Sequence, residues 1–253
     1  MIIFHYDRTL EGLLTAVFDA YNRKTFPDKL FGLDELEPLF VEESFTVTTD
    51  EKKSGRVWKA LRQKLEPNSL NMITYVWLSE LADSDELIFR YIRKVFDSLK
   101  SIETNFADDD VLQMQKLAQK VNKEKHRVIE FVRFQKAADD IFFAPVSPDH
   151  NSLPLTLEHF KDRFADQKWV IYDTKRNYGF YYDLTTVTEM TLDSTDLFPE
   201  GKLDENLMAE DEKLYQELWK GYFKSMTIKE RINLKLQRQH LPQRYWKYLT
   251  EKQ

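Results

Sequence analysis

The chain has 253 residues, 42% hydrophobic and 14% aromatic, enough for one large core or two small ones, and its net charge of −6 argues against a uniformly basic nucleic-acid binder. It contains no cysteine, which excludes disulfides, thiolate nucleophiles, zinc–thiolate sites and iron–sulfur clusters; only His and carboxylates are left as metal ligands, and no metal or cofactor is expected. There is no run of about 18 apolar residues, and Met1-Ile-Ile-Phe-His-Tyr-Asp7 lacks a basic segment followed by an apolar one, so no membrane span or signal peptide is expected and the cytoplasm is the expected location.

In chain order, Ile2 to Tyr6 reads as a strand, followed by a helix capped at Asp7 or Thr9 whose Leu10, Leu13, Leu14, Val17, Phe18 and Tyr21 recur at helical spacing. Pro27 and Gly32 mark a loop, and the alternation from Leu39 to Thr48 predicts a strand. Between about Asp50 and Glu130 the pattern predicts four helices, with stops at Pro67-Asn68, Ala82 to Asp85 and Asn105 to Asp110. The period then changes to two. Ile129 to Gln135 and Ile141 to Ala144 read as a hairpin, Thr156 to Phe164 as a short helix capped by Thr156, and Trp169 to Thr174 with Tyr178 to Leu184 as a second hairpin. The last third is helical, and Thr227-Ile-Lys-Glu230 has the spacing of a capping box. These elements predict a single α+β domain over 1–253, mostly helical with a small central antiparallel sheet. Its parts are a helical region at about 50–128, a strand-rich core at about 129–190 and a basic helical end at about 204–253.

Charge is unevenly distributed. Lys220 to Gln253 has nine Lys/Arg against two acids, a net +7, and Gln113 to Ala137 has seven against two, a net +5; Glu189 to Glu212 has nine acids and one lysine, a net −8.

Chemistry-bearing side chains concentrate between Glu130 and Asp173. Pro148-Asp-His-Asn151 follows a predicted strand, a place where loops carry functional groups; Asp149 could orient His150, which has the ordinary pKa of a general acid or base near neutrality. The same four residues compose an ordinary turn. His159, with Arg163 one turn on, and His126 are the further candidates for proton transfer, but no HxxxH, HxH or HExxH pair joins them into a metal motif. Arg133, Arg163 and Arg176 stand beside Phe134, Phe164 and Tyr178, a combination that suits phosphate forks with stacking surfaces for bases, and that equally describes the outward half of an alternating pattern. Arg231, Lys235 and Arg238 at i, i+4, i+7, followed by Arg244, would place cations on one helical stripe.

Several segments in order, Tyr6-Asp-x-Thr-Leu-Glu-Gly-Leu-Leu, Phe131-Val-Arg-Phe134, Phe143-Ala-Pro145, Pro148-Asp-His150, His159-Phe-x-x-Arg-Phe-Ala-Asp166, Trp169-Val-Ile-Tyr-Asp173 and Leu236-Gln-Arg-x-x-Leu-Pro-x-Arg-Tyr-Trp-Lys247, resemble a bacterial family of unknown function associated with DNA metabolism or repair. The resemblance covers nearly the whole chain, departing at Arg8, where a glycine usually follows Tyr-Asp. It implies DNA as a ligand and a radical-SAM protein as a partner; some members carry a uracil-DNA-glycosylase-like domain, which this chain lacks. Three readings result: a nucleic-acid-associated protein in DNA metabolism, a hydrolase or nucleobase-processing enzyme using Asp149 and His150, or a non-catalytic adaptor that meets its radical-SAM partner through the acidic segment.

Overall fold

The computed structural model describes residues 1–192 and 203–252. Residues 193–202, the middle of the acidic segment, lie outside the described residues. The fold is α+β, as the element pattern predicts, and the chain divides into two compact units, 1–122 and 123–253.

The first unit begins with β1 (Ile2–Tyr6), α1 (Leu10–Arg23), β2 (Lys29–Gly32) and β3 (Glu43–Thr46). The strands form a parallel sheet in the order β2-β1-β3, so β1 is central and its side chains are nearly all buried. The Pro27 to Gly32 segment is therefore not only a loop: Lys29–Gly32 is too short and too mixed in polarity to show a period of two. The strand predicted from Leu39 shrinks to Glu43–Thr46, with Leu39 and Phe40 exposed before it. Thr9 caps α1 as expected, its hydroxyl oxygen accepting from the Gly12 amide at 2.9 Å. The four predicted helices follow as α2 (Glu51–Lys64), α3 (Pro67–Trp77), α4 (Ser84–Asp97) and α5 (Asp109–Phe131). Leu13, Leu61, Ile73, Ile88, Tyr91 and Ile92 bury against Phe4 and Tyr6 of β1. At the end of β1, Arg8 takes a left-handed φ of 60° and donates to Glu35 at 2.6 Å and Asp85 at 2.7 Å, while Asp85 also accepts from the Tyr6 hydroxyl at 2.5 Å. Burial and the Asp85 carboxylate raise the Tyr6 phenol well above its ordinary pKa.

The second unit starts within α5 and contains a five-stranded sheet, β4 (Gln135–Lys136), β5 (Phe142–Val146), β6 (Trp169–Asp173), β7 (Tyr178–Tyr182) and β8 (Val187–Met190), in that order. The pairings are antiparallel except β5 with β6, which run parallel and are joined by a crossover through α6 (Leu157–Arg163). The hairpin of β6 and β7 is where the sequence places it. The strand predicted from Ile129 is not: α5 continues to Phe131, because a helix already under way adds one bond per residue and the Val132 amide still donates to the Val128 carbonyl at 3.0 Å. Only Gln135 and Lys136 remain to pair with Phe143 and Phe142.

Three capping expectations also change. The Thr156 hydroxyl donates back to the Leu153 carbonyl at 2.7 Å within a 3-10 turn and does not cap α6. Thr227 closes α7 (Glu212–Met226), its hydroxyl donating to the Phe223 carbonyl at 2.6 Å, while Asn233 caps α8 (Leu234–His240). Arg231 therefore sits in a 3-10 turn, Lys229–Arg231, outside the helix that bears Lys235 and Arg238, and no single helical stripe joins the three.

The core of this unit is aromatic. Trp169 is fully buried, stacked on Tyr182 with ring centroids 5.3 Å apart and flanked by Phe160 at 6.3 Å and Phe134 at 6.5 Å. Gly179, paired with Tyr172, has no room for a side chain: a Cβ would lie 2.5 Å from the Ile171 carbonyl oxygen and 2.9 Å from the Tyr172 Cα. Both neighbours are backbone and cannot step aside, so Gly179→Ala is expected to cost about 1–3 kcal/mol, read as a lower urea midpoint at unchanged slope.

Candidate functional site

Two arrangements in the second unit gather the residues singled out by sequence. The first holds the loop after β5. Glu124, on α5, is buried with its side chain 3% exposed, and its Oε1 accepts from the Asp149 amide at 2.9 Å and the Tyr245 hydroxyl at 2.7 Å. Its Oε2 accepts from Arg244 at 2.5 Å. Burial alone would raise the pKa of this carboxyl; the hydrogen bonds from Tyr245 and Asp149, with the cations of Arg244 and Arg127, outweigh it and hold Glu124 below the usual carboxylate range. Arg244 also pairs with the Asp149 carboxylate at 2.8 Å. From the other side Arg176 donates to the Pro148 and Asp149 carbonyls and pairs at 2.8 Å with Asp173, which is fully buried. Lys175 adds a bond to the Asp149 carbonyl, and Tyr178 donates to the Asn151 side chain.

This bracing uses Arg176 and Arg244 on protein groups, and gives Asp149 a cation as well as a backbone role. His150 is half-buried in the loop. His126 and His159 are exposed on α5 and α6, and His159 lies edge-on to Phe160 at 5.4 Å. Among the described residues no group of three or more His, Asp or Glu is arranged to hold a metal ion.

The second arrangement is a cleft of about 780 Å³. Phe134, Phe142, Phe164, Tyr215 and Trp219 give it aromatic walls, and Arg133, Lys136, Arg163, Asp211 and Glu212 supply charge. Its cations differ in how far they are committed. Arg133 donates to the Glu130 and Val132 carbonyls, closing the C-terminal end of α5, and pairs at 2.8 Å with Glu251. Glu251 also accepts from the Trp219 indole at 2.9 Å; burial works to raise its pKa, but the bonds from Arg133 and Trp219 bring it below the usual carboxylate range. Lys136 pairs with Asp140 at 2.9 Å, while its amide donates to Glu212, whose other oxygen takes Gln216. Arg163, by contrast, forms no ion pair or hydrogen bond with any described residue; its guanidinium lies 5.4 Å from the Phe164 ring centroid, and Phe164 in turn packs on Phe134 at 5.0 Å. The cleft thus offers a guanidinium without an ion pair or hydrogen bond among the described residues, beside two aromatic rings packed edge to face, with the Asp211 carboxylate also in its lining.

The structure brings Arg133 and Arg163 to this cleft and takes none of His126, His150 or His159 there. Lys235, Arg238 and Arg231 are exposed at the basic end of the unit. Sequence reasoning missed Glu124, Lys136, Trp219 and Glu251. Glu124 carried a signal, being one of only two acids within the basic stretch 113–137, and Tyr215 and Trp219 stand at i, i+4 on α7.

The profile of a family described as a domain of unknown function, DUF4130, matches residues 82–251. The chain belongs to that family. Both the braced loop and the residues lining the cleft fall inside the DUF4130 span. No curated protein matches the chain. A solved structure, the pGpG-specific phosphodiesterase PggH from Vibrio cholerae, matches over 89% of this chain and 99% of its own length at 8% identity and a TM-score of 0.34. No helix among the described residues is long and apolar enough to cross a membrane.

Proposed function

We propose that this DUF4130 protein binds nucleic acid in DNA metabolism, and that the cleft of the second unit takes an unpaired base with its phosphate. The observation that carries the reading is Arg163, a guanidinium that lies over the Phe164 ring near Phe134 and has no ion-pair or hydrogen-bond partner among the described residues. An Arg fork matches a phosphate, aromatic faces stack on any base, and a cleft of about 780 Å³ has the size of a small-ligand site. The Asp211 carboxylate, which also lines the cleft, is an acceptor for the N–H donors that an unpaired base presents. The DNA-repair setting and the radical-SAM partner implied by the resemblance provide a context for such a ligand and add no residue to the site.

The test is fluorescence anisotropy with labelled single-stranded oligonucleotides between about 50 and 200 mM salt. Binding should weaken as salt rises. Loss of one charge-assisted contact, about 1.5–3 kcal/mol, predicts that Arg163→Ala weakens binding roughly 10- to 100-fold, with a salt slope shallower by about 0.7. Absence of affinity at low salt, or affinity indifferent to both salt and Arg163, would overturn the reading.

A further inference from the structure

The most unusual surface of the second unit lies beyond the cleft, on α7 and the segment after it. Leu214, Leu218, Tyr222 and Met226 recur every four residues along α7 and are 55–63% exposed. Ile228, Ile232 and Leu236 continue the apolar surface, all at least half exposed, and with Met226 they wall a groove of about 510 Å³ where the chain turns from α7 into α8. Monomeric proteins seldom leave so many large apolar side chains in one contiguous place without a partner. The segment that forms the groove, 226–240, carries Lys229, Arg231, Lys235 and Arg238 against Glu230 as its single acid, and Arg231 lines the groove itself. None of these four cations forms an ion pair among the described residues.

We propose that this face docks an acidic amphipathic helix of another protein, with aliphatic anchors at i, i+4 and i+7 entering the groove and Asp/Glu flanks meeting the four cations of its segment. Charge complementarity selects the flanks, because cations without an ion-pair partner among the described residues, set beside an apolar groove, repay their desolvation against anionic groups, which on a helix are Asp and Glu. The groove selects the anchors. Its apolar walls are aliphatic, whereas single-stranded nucleic acid is held by aromatic platforms such as those of the cleft. A bilayer presents no ridge to fill a concavity, and a second copy placed face to face would set these cations against their own counterparts. The inference is independent of the ligand proposed for the cleft.

The test uses two synthetic 18-residue helical peptides that share leucines at i, i+4, i+7 and i+11 and differ in carrying Glu or Lys at the flanking positions. With the full chain in anisotropy, the Glu peptide should bind at least tenfold more tightly than the Lys peptide. Leu236→Asp should reduce that binding at least tenfold while the far-UV circular dichroism is unchanged, since the side chain is half exposed. The double change Lys235→Glu, Arg238→Glu should erase or invert the preference between the peptides. Equal binding of both peptides, binding of neither, or indifference to Leu236→Asp would overturn the proposal. So would a dimer in light scattering that Leu236→Asp dissociates, or anionic vesicles or an oligo-dT that bind through Leu236 in place of the peptide.

Discussion

Glu124→Ala is expected to destabilise the second unit by about 2–4 kcal/mol, the cost of leaving two donors in the interior without their acceptor and of removing one of the two carboxylates that pair with Arg244. One carboxylate joins Arg244, the Tyr245 hydroxyl and the Asp149 amide; its removal leaves the hydroxyl and the amide without that acceptor and Arg244 with the Asp149 carboxylate alone. The measurement is the urea midpoint followed by circular dichroism. Glu124→Gln separates charge from shape, keeping an acceptor oxygen while removing the anion. The pH dependence has a definite sign. The folded pKa of Glu124 lies below that of the unfolded chain, so the charge contributes its full stability above the ordinary carboxylate range, about 4.3, and loses it as pH falls through the lower folded value. The gap in melting temperature between the native chain and Glu124→Gln should therefore narrow as pH is lowered from 7 towards 3. A constant gap would remove the charge from the account.

Trp169→Ala carries an effect of similar size by another route, about 3–5 kcal/mol for lost burial plus the cavity left among Tyr182, Phe160 and Phe134. The informative control is Trp169→Phe. The indole nitrogen of Trp169 is buried and makes no hydrogen bond, so phenylalanine gives up ring volume and no polar contact, and about 1–2 kcal/mol is expected. The two variants also bear on the cleft. Phe134 packs on Trp169 from one side and forms the cleft wall on the other, so Trp169→Ala should weaken oligonucleotide binding measured under conditions where the variant is still folded, and Trp169→Phe should leave it within about twofold. Comparable losses in both variants would mean that the indole nitrogen matters in a way its surroundings do not explain.

What could be read from the sequence was whatever depends on local periodicity. The α1 cap at Thr9, the four helices after Asp50 and the hairpin across Lys175-Arg-Asn177 are specified by residues within a turn or two of one another. The errors arose where a short pattern competes with a longer one. Ile129 to Gln135 alternates like a strand, yet it follows twenty residues of uninterrupted helix, and propagation prevails until Arg133 closes the end by bonding the Glu130 and Val132 carbonyls. Thr227 and Glu230 have capping-box spacing, but the amides they would cap belong to no helix. The arginines illustrate the same limit for the site. Arg133, Arg163, Arg176 and Arg244 are indistinguishable as letters beside aromatic residues, and only the fold shows that Arg176 and Arg244 face carboxylates and carbonyls while Arg163 faces none. Glu251 and Trp219, thirty-two residues apart, form a contact that no spacing rule announces.

The pairings that brace the second unit have a temporal consequence. Glu124 and Arg244 are 120 positions apart, and Arg133 and Glu251 are 118 apart. At equilibrium the span matters little, since each doubling of a closed loop costs only about 0.6 kcal/mol. During synthesis it matters a great deal. At about 5–20 residues per second, Glu124 leaves the ribosome roughly 6–24 s before its arginine, a long interval beside the microseconds in which the β6–β7 hairpin can form. Helix α5 and the strands are thus made first, and the loop at Asp149, which Glu124, Lys175 and Arg176 can already hold, gains its pairing with Arg244 only when that residue emerges.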